Sequence, residues 1–523
     1  MRSISPKALK HMLAQTSEEV AVLDIREFGE YGMGHPFHAV NAPFSQLEAI
    51  ITRLVPRHSV QVVVMDDHDE GRARRSSQRL SELGYHRVAW MEGGVAAWQA
   101  MGYGLFAGVN VVSKTFGELV QEHYHTPGLD ASILADWQQQ QKNVHVIDGR
   151  TIPEYKKMNI PGSACCPNGE LAKRLPAMLE GDTTTPVVIN CAGRTRSIIG
   201  AQTLRWLGIQ NPVFALENGT QGWQLAGLQL ENGSTRHYPD EVSPNATWAA
   251  DARSLAEKHG VSGIDATTLN AWMSSDQRTT YVFDVRTVEE WQHASPRGAI
   301  HAPGGQLIQA TDHWVGVYRA RLVLIDDDEC RAPVVATWLT LMGMEVAWLR
   351  GGASGWGDLN CLAQRAASAP ALSPLPLCDL KTALAPTTLC LDVRPGMQFR
   401  EGHLPGVLWV NRSLLETQLA NVDVCRPIVI IGDEGRSACL AADLAVLGIS
   451  PPSRLPPDTA AWEDASVILE HTPHYPDDES CIDFLFFVHD RHDGNLEASR
   501  RYLAWETGLL AQLDSEERKT FAI

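Results

Sequence analysis

An internal repeat constrains the fold of this chain more than any other feature. A short apolar stretch that ends in Asp-x-Arg occurs four times, and each time a second apolar stretch, a polar loop with arginine and a helical pattern follow. Strands and helices that alternate in this way predict a mostly parallel sheet with helices on both faces. The spacing of roughly 110 to 135 residues is that of domains, not of a solenoid. The four pairs are Asp24 and Arg26, Asp148 and Arg150, Asp284 and Arg286, and Asp392 and Arg394.

The repeat predicts an α/β protein of four tandem domains followed by a C-terminal tail. The boundaries near Tyr238 and Ala369 lie in stretches rich in proline, serine, glycine and small residues, which is typical of linkers. In the tail, an apolar strand-like run, CIDFLFF, precedes a helical pattern from about Asn495 to Leu513. We expect this tail to pack on the domains, with its apolar run near the second. The predicted limits are 1–107, 108–238, 239–369, 370–467 and, for the tail, 468–523.

Composition excludes several classes of partner. The formal net charge is -18, whereas nucleic acids and anionic membranes require a basic surface. The sequence contains no apolar run of the length of a signal peptide or a membrane span. Its ten cysteines are irregularly spaced and form no paired zinc motif, so they favour a reducing cytoplasm over a disulfide framework. His489 and His492 lack further compact ligands, and we expect no metal and no cofactor.

One of the four polar loops carries a cysteine at its head. In VVINCAGRTRSIIG, Cys191 follows an apolar strand and precedes a helical pattern over Ser197–Leu207. A loop of this kind can direct backbone N–H groups at the sulfur, next to the positive end of the helix. Arg194 and Arg196 add two positive charges. All of these effects favour the thiolate, so we predict that Cys191 is a nucleophile.

The other three loops lack a thiol at the corresponding position. Counting back from the loop arginine gives Asp67 in the first loop and Asp326 in the third, and Gly432 lies near this position in the fourth. We predict that these domains cannot form a persulfide and interpret them as packing or scaffold units. Partner binding, or shaping of the path of the acceptor, is the alternative. The first and third loops carry further acids, which we expect to repel an anion: Asp69, Glu70, Asp327, Asp328 and Glu329.

The order of these motifs resembles the rhodanese family of sulfurtransferases, and the resemblance covers nearly all of residues 1–467. It implies an enzyme that moves sulfane sulfur from thiosulfate, or a similar donor, through a Cys191 persulfide to cyanide or a thiol. A loop rich in arginine resembles the members that use thiosulfate. The implied site has Cys191 as its catalytic residue, Ala192, Gly193, Arg194, Thr195 and Arg196 as binding residues, with the two arginines on the sulfonate, and Ser197, Asp148 and Arg150 in support.

Two other functions stay open at this point. One is a non-catalytic scaffold or sulfur-carrier hub, whose domains serve partner recognition; a protein acceptor also fits the enzyme. The other is a phosphatase or arsenate reductase. Phosphatases of the Cys-x5-Arg type place five residues in a ring that cradles phosphate oxygens, whereas only four separate Cys191 from Arg196. The shorter ring favours a single sulfur atom.

Several residues near the loop have both a structural and a functional interpretation. Because Asp148 and Arg150 recur in all four copies, they favour a structural ion pair over catalysis. Glu154 either orients a loop arginine or lies on a solvated helix face. Cys165 and Cys166 are interpreted as small buried residues, with a relay thiol that accepts sulfur as the alternative.

Overall fold

The fold was analysed in a computed structural model of the chain. The predicted boundary at Ala369, the acids Asp69 and Glu70, and the histidines His489 and His492 lie outside the described residues. Among the described helices, none is both long enough and apolar enough to cross a membrane; the predicted cytoplasmic location stays a prediction. The described residues are 2–15, 18–68, 71–243, 245–359, 362, 372–486 and 495–523.

Four sheets account for the strands of the described residues, and every pair of neighbouring strands within them is parallel, which confirms the predicted α/β class. Their strand orders are β1-β5-β4-β2-β3, β6-β10-β9-β7-β8, β11-β15-β14-β12-β13 and β17-β16-β18-β19. The central strands are buried along their whole length, as helices on both faces require. The strands are β1 (Arg2–Ile4), β2 (Val20–Asp24), β3 (Val40–Asn41), β4 (Gln61–Met65), β5 (Val88–Met91), β6 (Gly128–Leu129), β7 (His145–Asp148), β8 (Ala164–Cys165), β9 (Val187–Asn190), β10 (Val213–Leu216), β11 (Ser262–Ile264), β12 (Thr280–Asp284), β13 (Ile300–His301), β14 (Arg321–Ile325), β15 (Glu345–Leu349), β16 (Leu389–Asp392), β17 (Leu408–Trp409), β18 (Ile428–Ile431) and β19 (Ser453–Leu455).

The α-helices of the first two sheets are α1 (Pro6–Ala14), α2 (Phe28–Gly32), α3 (Leu47–Leu54), α4 (Arg72–Glu82), α5 (Gly94–Ala100), α6 (Val111–Tyr124), α7 (Ala131–Gln139), α8 (Ile152–Lys157), α9 (Leu171–Leu179), α10 (Thr195–Trp206) and α11 (Gly219–Leu225). Those that follow are α12 (Ala246–Lys258), α13 (Ala266–Ser274), α14 (Val288–His293), α15 (Gly304–Gln309), α16 (Thr311–Trp314), α17 (Arg331–Leu341), α18 (Leu380–Ala383), α19 (Gly396–Glu401), α20 (Leu415–Leu419), α21 (Glu434–Val446), α22 (Thr459–Asp464), α23 (Leu496–Thr507) and α24 (Ser515–Arg518). Short 3-10 helices cover Phe44–Gln46, Asn168–Glu170, Gly352–Asp358, Arg412–Leu414 and Leu510–Gln512. The helix after the cysteine loop therefore begins two residues earlier than the predicted Ser197 and ends one residue before Leu207.

Strand register identifies the equivalent position at the head of each loop. The aspartate of each Asp-x-Arg pair is the last residue of its strand. In the sheet it is paired with the last residue of the adjacent strand that leads into the polar loop: Asp24 with Met65, Asp148 with Asn190, Asp284 with Ile325, and Asp392 with Ile431. The loop therefore begins one residue later, at Asp66, Cys191, Asp326 and Gly432. The prediction of Asp67 for the first loop is wrong by one residue, because that loop is longer and counting back from Arg72 assumed equal lengths.

All four Asp-x-Arg pairs form buried ion pairs. In the second domain, Arg150 Nε lies 2.9 Å from Asp148 Oδ1, and its Nη2 also donates to the carbonyl oxygen of Met158, 2.5 Å away. Asn190, at the end of β9, donates to the same carboxylate. The equivalent arginines make the same carbonyl contact eight residues further on, with Gly34, Ala294 and Gly402 as acceptors. The geometry recurs where no cysteine is present, which fits a structural role.

The chain divides into two compact units. One comprises the described residues of Met1–Val109, Gly316–Tyr318 and Ala369–Phe486, and it holds the first and fourth sheets. Inside it, Arg412 is almost fully buried and bonds both carboxyl oxygens of Glu48, at 2.6 and 2.8 Å. This ion pair joins the first and fourth domains.

The second unit comprises the described residues of Asn110–Val315, Arg319–Ser368 and Phe487–Ile523, and it holds the second and third sheets. The tail is shared between the units. Its apolar run is not a strand over the described residues 481–486, and it lies against the first and fourth domains: Gly29 N–H donates to the carbonyl oxygen of Ile482, and Leu485 touches Gly32. The expectation that this run packs near the second domain is therefore wrong, whereas α23 does contact that domain.

Candidate active site

Cys191 lies at the carboxyl end of β9, where the loop to α10 begins. The residue is buried, with 2% of its surface exposed. The Ser197 hydroxyl donates to Cys191 Sγ over 3.2 Å. The loop is also held from behind, because Thr220 N–H donates to the Cys191 carbonyl oxygen. A Cβ atom on Gly219, whose φ is +53°, would lie 2.1 Å from that oxygen, so only glycine permits this close approach.

The loops without a cysteine show which backbone groups donate hydrogen bonds to the side chain at the head of the loop. In the third domain, the Asp326 carboxylate accepts hydrogen bonds from the N–H groups of Glu329, Arg331 and Ala332, at 2.8 to 2.9 Å. In the first domain, Asp66 accepts one from Ala73. In both loops the carboxylate at the head position thus accepts backbone N–H groups at a helix N-terminus, three in the third domain and one in the first. Cys191 occupies the same position in a loop of the same length as the third, which favours a thiolate or persulfide anion there.

Arg196 is paired with Glu154 of α8. Its Nη1 and Nη2 lie 2.8 and 2.7 Å from the two carboxyl oxygens, so the pair is bidentate. Burial alone would raise the pKa of Glu154, but the charge of Arg196 and its hydrogen bonds hold that pKa well below its ordinary value. Of the two interpretations of Glu154, the structure therefore shows that it orients a loop arginine. The same glutamate of the helix after Asp-x-Arg holds the loop arginine in the first and third domains, as Glu30 with Arg72 and Glu290 with Arg331.

Arg194 is also paired, although no acid lies near it in the sequence. Its Nε and Nη2 donate to the two carboxyl oxygens of Glu118, at 2.6 and 2.9 Å. Glu118 belongs to α6 and lies 76 residues before Arg194. Burial raises the pKa of Glu118, an effect that its bonds to Arg194 oppose. Both arginines predicted to bind a sulfonate are thus already bonded to glutamates.

The tail helix α23 supplies two further side chains to the cysteine loop. Glu506 accepts a hydrogen bond from Thr195 Oγ1, which lies 2.9 Å from its Oε1. Tyr502, one turn earlier, accepts a hydrogen bond from Lys114 of α6 and lies near Gly193. Sequence reasoning missed these contacts, because nothing local connects a residue near position 500 with a loop near 190.

The second domain contains two cysteines besides Cys191. Cys165 and Cys166 are fully buried, and the Cys165 thiol lies 3.4 Å from the Arg150 carbonyl oxygen. Burial raises the pKa of both thiols well above the ordinary value. This favours the interpretation as small buried residues over a relay thiol.

The third loop contacts the second domain within the second unit. The Lys173 ammonium of α9 lies 2.8 Å from Asp327 and 3.1 Å from Asp328. Cys330 is buried and its thiol bonds the Ala172 carbonyl oxygen, which agrees with a structural cysteine. The acids of this loop therefore dock it on α9.

The fourth loop has a different local structure. Asp433 caps α21 and binds Arg436 at 2.9 Å. The buried hydroxyl of Ser437 has no hydrogen-bond partner among the described residues. A Cβ atom built on Gly432 would lie 3.2 Å from the Ser437 hydroxyl, which corresponds to the contact between Ser197 and Cys191 in the second domain. The same Cβ atom would lie only 2.5 Å from the Val393 side chain. This loop thus keeps the serine and lacks both the sulfur and the room for it.

Comparison with known proteins identifies the family. The model of the rhodanese-like domain matches residues 5–101, 130–226 and 265–359. A solved structure, the thiosulfate sulfurtransferase from Pseudomonas aeruginosa, is 37% identical, with the match covering 100% of both chains and a TM-score of 0.89. The chain belongs to the rhodanese family. The residues of the fourth sheet are not among those that the family model matches, although its four strands follow the same order as four of the five strands in each of the other sheets.

Other rhodanese structures match single domains. A rhodanese-like domain from Anabaena sp. is 24% identical over 20% of this chain and 80% of its own, with a TM-score of 0.19. A rhodanese-related protein from Thermoplasma volcanium is 28% identical over 20% of this chain and 97% of its own, with a TM-score of 0.18. Comparison with curated protein sequences gave no match. The family and the full-length structural match together support sulfurtransferase activity in general.

Proposed function

We propose that this rhodanese is a thiosulfate sulfurtransferase that works through a persulfide on Cys191. The observation that carries the proposal is the position of this thiol at the head of its loop. In the third domain, the same position holds a carboxylate that accepts three backbone N–H groups. A site built for an anion, with a cysteine in place of an aspartate, supports a reactive thiolate. The Ser197 hydroxyl, 3.2 Å from Sγ, adds a further donor.

The reaction has two displacement steps. The Cys191 thiolate attacks the outer sulfur of thiosulfate, a new S–S bond forms, and sulfite leaves with the electron pair of the broken S–S bond. Cyanide or a thiolate then attacks the outer sulfur of the persulfide. That step breaks the bond to Cys191 and returns its thiolate, so no external oxidant or reductant is required.

The two arginines have different roles in this proposal. Arg196 is the less exposed of the two, 13% against 21% for Arg194, and its partner Glu154 has counterparts in domains without a cysteine. We assign it to positioning the loop. Arg194 and the backbone N–H groups of residues 192–195 are assigned to the sulfonate of the donor.

Intact-mass measurement after thiosulfate treatment tests the proposal. Wild type is expected to gain one sulfur that cyanide removes, and Cys191→Ala is expected to gain none. Cys330→Ala is the matched control, because it removes a buried thiol from the third loop and is expected to load normally.

A wild type that gains no sulfur would reject the enzyme in favour of a scaffold or carrier of another kind. Loading that persists in Cys191→Ala would place the persulfide on another cysteine. Hydrolysis of an artificial phosphate ester that is lost in Cys191→Ser would reject sulfur transfer in favour of a phosphatase.

A further inference from the structure

Two buried oxygen atoms beside the cysteine loop have no hydrogen-bond donor. They are Glu506 Oε2, on the tail helix α23, and Gln221 Oε1, on α11; neither has a partner in the part of the chain that the structure describes. Each residue is only 2% exposed. Since buried polar atoms are normally bonded, each of these acceptors is able to take a hydrogen bond from a ligand.

Both side chains lie against Gly193 of the loop. A Cβ atom on Gly193 would lie 2.9 Å from Glu506 Oε2 and 3.4 Å from Gln221 Nε2. The other ends of both groups are fixed, because Glu506 Oε1 accepts from Thr195 and Gln221 Nε2 donates to the Ala192 carbonyl oxygen. Glu506 Oε2 and the side-chain amide of Gln221 are therefore held close to the residues that follow Cys191.

The charges around the loop favour a cation at these oxygens. Arg194 and Arg196 are bonded to Glu118 and Glu154, so each positive charge already has a carboxylate partner. Glu506 brings a third carboxyl group. The nearby ammonium of Lys114 donates to the Tyr502 hydroxyl. A ligand with several N–H donors and a positive charge would satisfy both oxygens.

We propose that Glu506 is a specificity-determining residue which, with Gln221, binds the ammonium group of a sulfur-accepting thiol. This inference rests on the proposed function, because the thiol must meet a Cys191 persulfide. The acceptor enters as a thiolate, its proton having passed to solvent. It attacks the outer sulfur and leaves as a persulfide, while Cys191 is released as a thiolate.

Three thiols of similar size and different charge test the proposal on the full chain. Enzyme loaded with thiosulfate is mixed with cysteamine, 2-mercaptoethanol or 3-mercaptopropionate, and loss of the added sulfur is followed by intact mass. Wild type and Glu506→Gln are compared, so that the intrinsic reactivity of each thiol cancels. Glutamine keeps an acceptor for Thr195 and removes the charge. Glu497→Gln, an exposed carboxylate on the same helix, is the matched control.

In Glu506→Gln, the preference for cysteamine over 3-mercaptopropionate is expected to fall about tenfold, while the rate with 2-mercaptoethanol stays unchanged. Glu497→Gln is expected to keep the preference. An unchanged preference in Glu506→Gln, or an equal change for all three thiols, would overturn the proposal while leaving normal loading by thiosulfate intact. Failure of wild type to load would overturn the proposed function itself.

A second variant keeps the test independent of the folding of Glu506→Gln. Gln221→Met removes the other acceptor, together with the amide donor to the Ala192 carbonyl oxygen, without a change of charge, and it is expected to lower the same preference to a smaller extent. A folded Gln221→Met enzyme with the full wild-type preference would also contradict a two-oxygen ammonium site.

Discussion

The bidentate pair between Arg196 and Glu154 gives a prediction that separates stability from catalysis. The change is Glu154→Gln, which keeps one hydrogen-bond acceptor and removes the charge. Breaking a buried pair costs about 3–5 kcal/mol when a charge is left without its partner. Because the Glu154 side chain is 37% exposed, solvent screens part of that cost, and we expect a loss of about 2 kcal/mol. In a unit of this size, that lowers the unfolding midpoint by about 4 °C.

The same pair in the first domain provides the control. Glu30 holds Arg72 through the same two contacts, at 2.9 and 3.1 Å, in a loop that begins with Asp66. Glu30→Gln is expected to cost a similar free energy of unfolding and to leave sulfur transfer unchanged. Glu154→Gln is expected to slow loading by thiosulfate about tenfold, because the cysteine loop loses its anchor.

Thermal unfolding and the rate of loading, followed by intact mass, measure the two effects. The sign of the pH dependence is also fixed: the folded pKa of Glu154 lies below 4.5, its ordinary value, so the pair stabilises the fold above that pH and the stabilisation is lost as the pH falls through the folded pKa. The stability gap between wild type and Glu154→Gln should therefore shrink in acid. Equal slowing in Glu30→Gln and Glu154→Gln, or no loss of stability in either, would refute the reasoning.

Three further predictions concern other parts of the chain. Arg412→Met removes the bidentate partner of the buried Glu48 and leaves it only Arg79, 3.7 Å away, among the described charged contacts. The unit that holds the first and fourth sheets should therefore lose about 3 kcal/mol of unfolding free energy, measured by denaturant titration. An unchanged midpoint would contradict a role for this pair in joining the domains. Cys165→Ala should retain full sulfur transfer from thiosulfate to cyanide, and a large loss of this activity would support the interpretation of Cys165 as a relay thiol. Burial lowers the pKa of His35 from 6.5 to about 4, so the folded state favours neutral imidazole. Its contribution is present above pH 6.5 and lost as the pH falls to about 4, a decline that should be smaller in His35→Gln.

Much of the fold was predictable because the four copies of the repeat can be compared with one another. Four strands ending in Asp-x-Arg indicated four parallel sheets, and the pairing of Asp148 with Arg150 followed from its recurrence in domains without a cysteine. The residue at the head of each loop was harder to predict. Asp67 was predicted in place of Asp66 because register is fixed by hydrogen bonds between β2 and β4, whereas the loop after β4 varies in length.

The surroundings of the cysteine loop were less predictable, because they come from distant parts of the chain. Glu118 precedes its partner Arg194 by 76 residues, and Glu506 follows its partner Thr195 by 311. A helix pattern shows where a glutamate lies on its own helix and gives no information on which loop it meets. The loop is therefore strongly basic in sequence, and carboxylates from other elements balance its charge in the fold.

The Asp326 carboxylate has a consequence for the motion of these loops. Its loop has three amide protons bound by a covalently attached anion, so they should resist exchange with solvent deuterium whether or not substrate is present. In the cysteine loop, the hydrogen bond to Cys191 Sγ comes from the Ser197 hydroxyl, and among the described residues no backbone amide donates to this sulfur. The amides of the cysteine loop should become equally slow to exchange only after sulfur has been loaded. Amide exchange in the second domain should therefore change during turnover, whereas exchange in the third loop should stay constant.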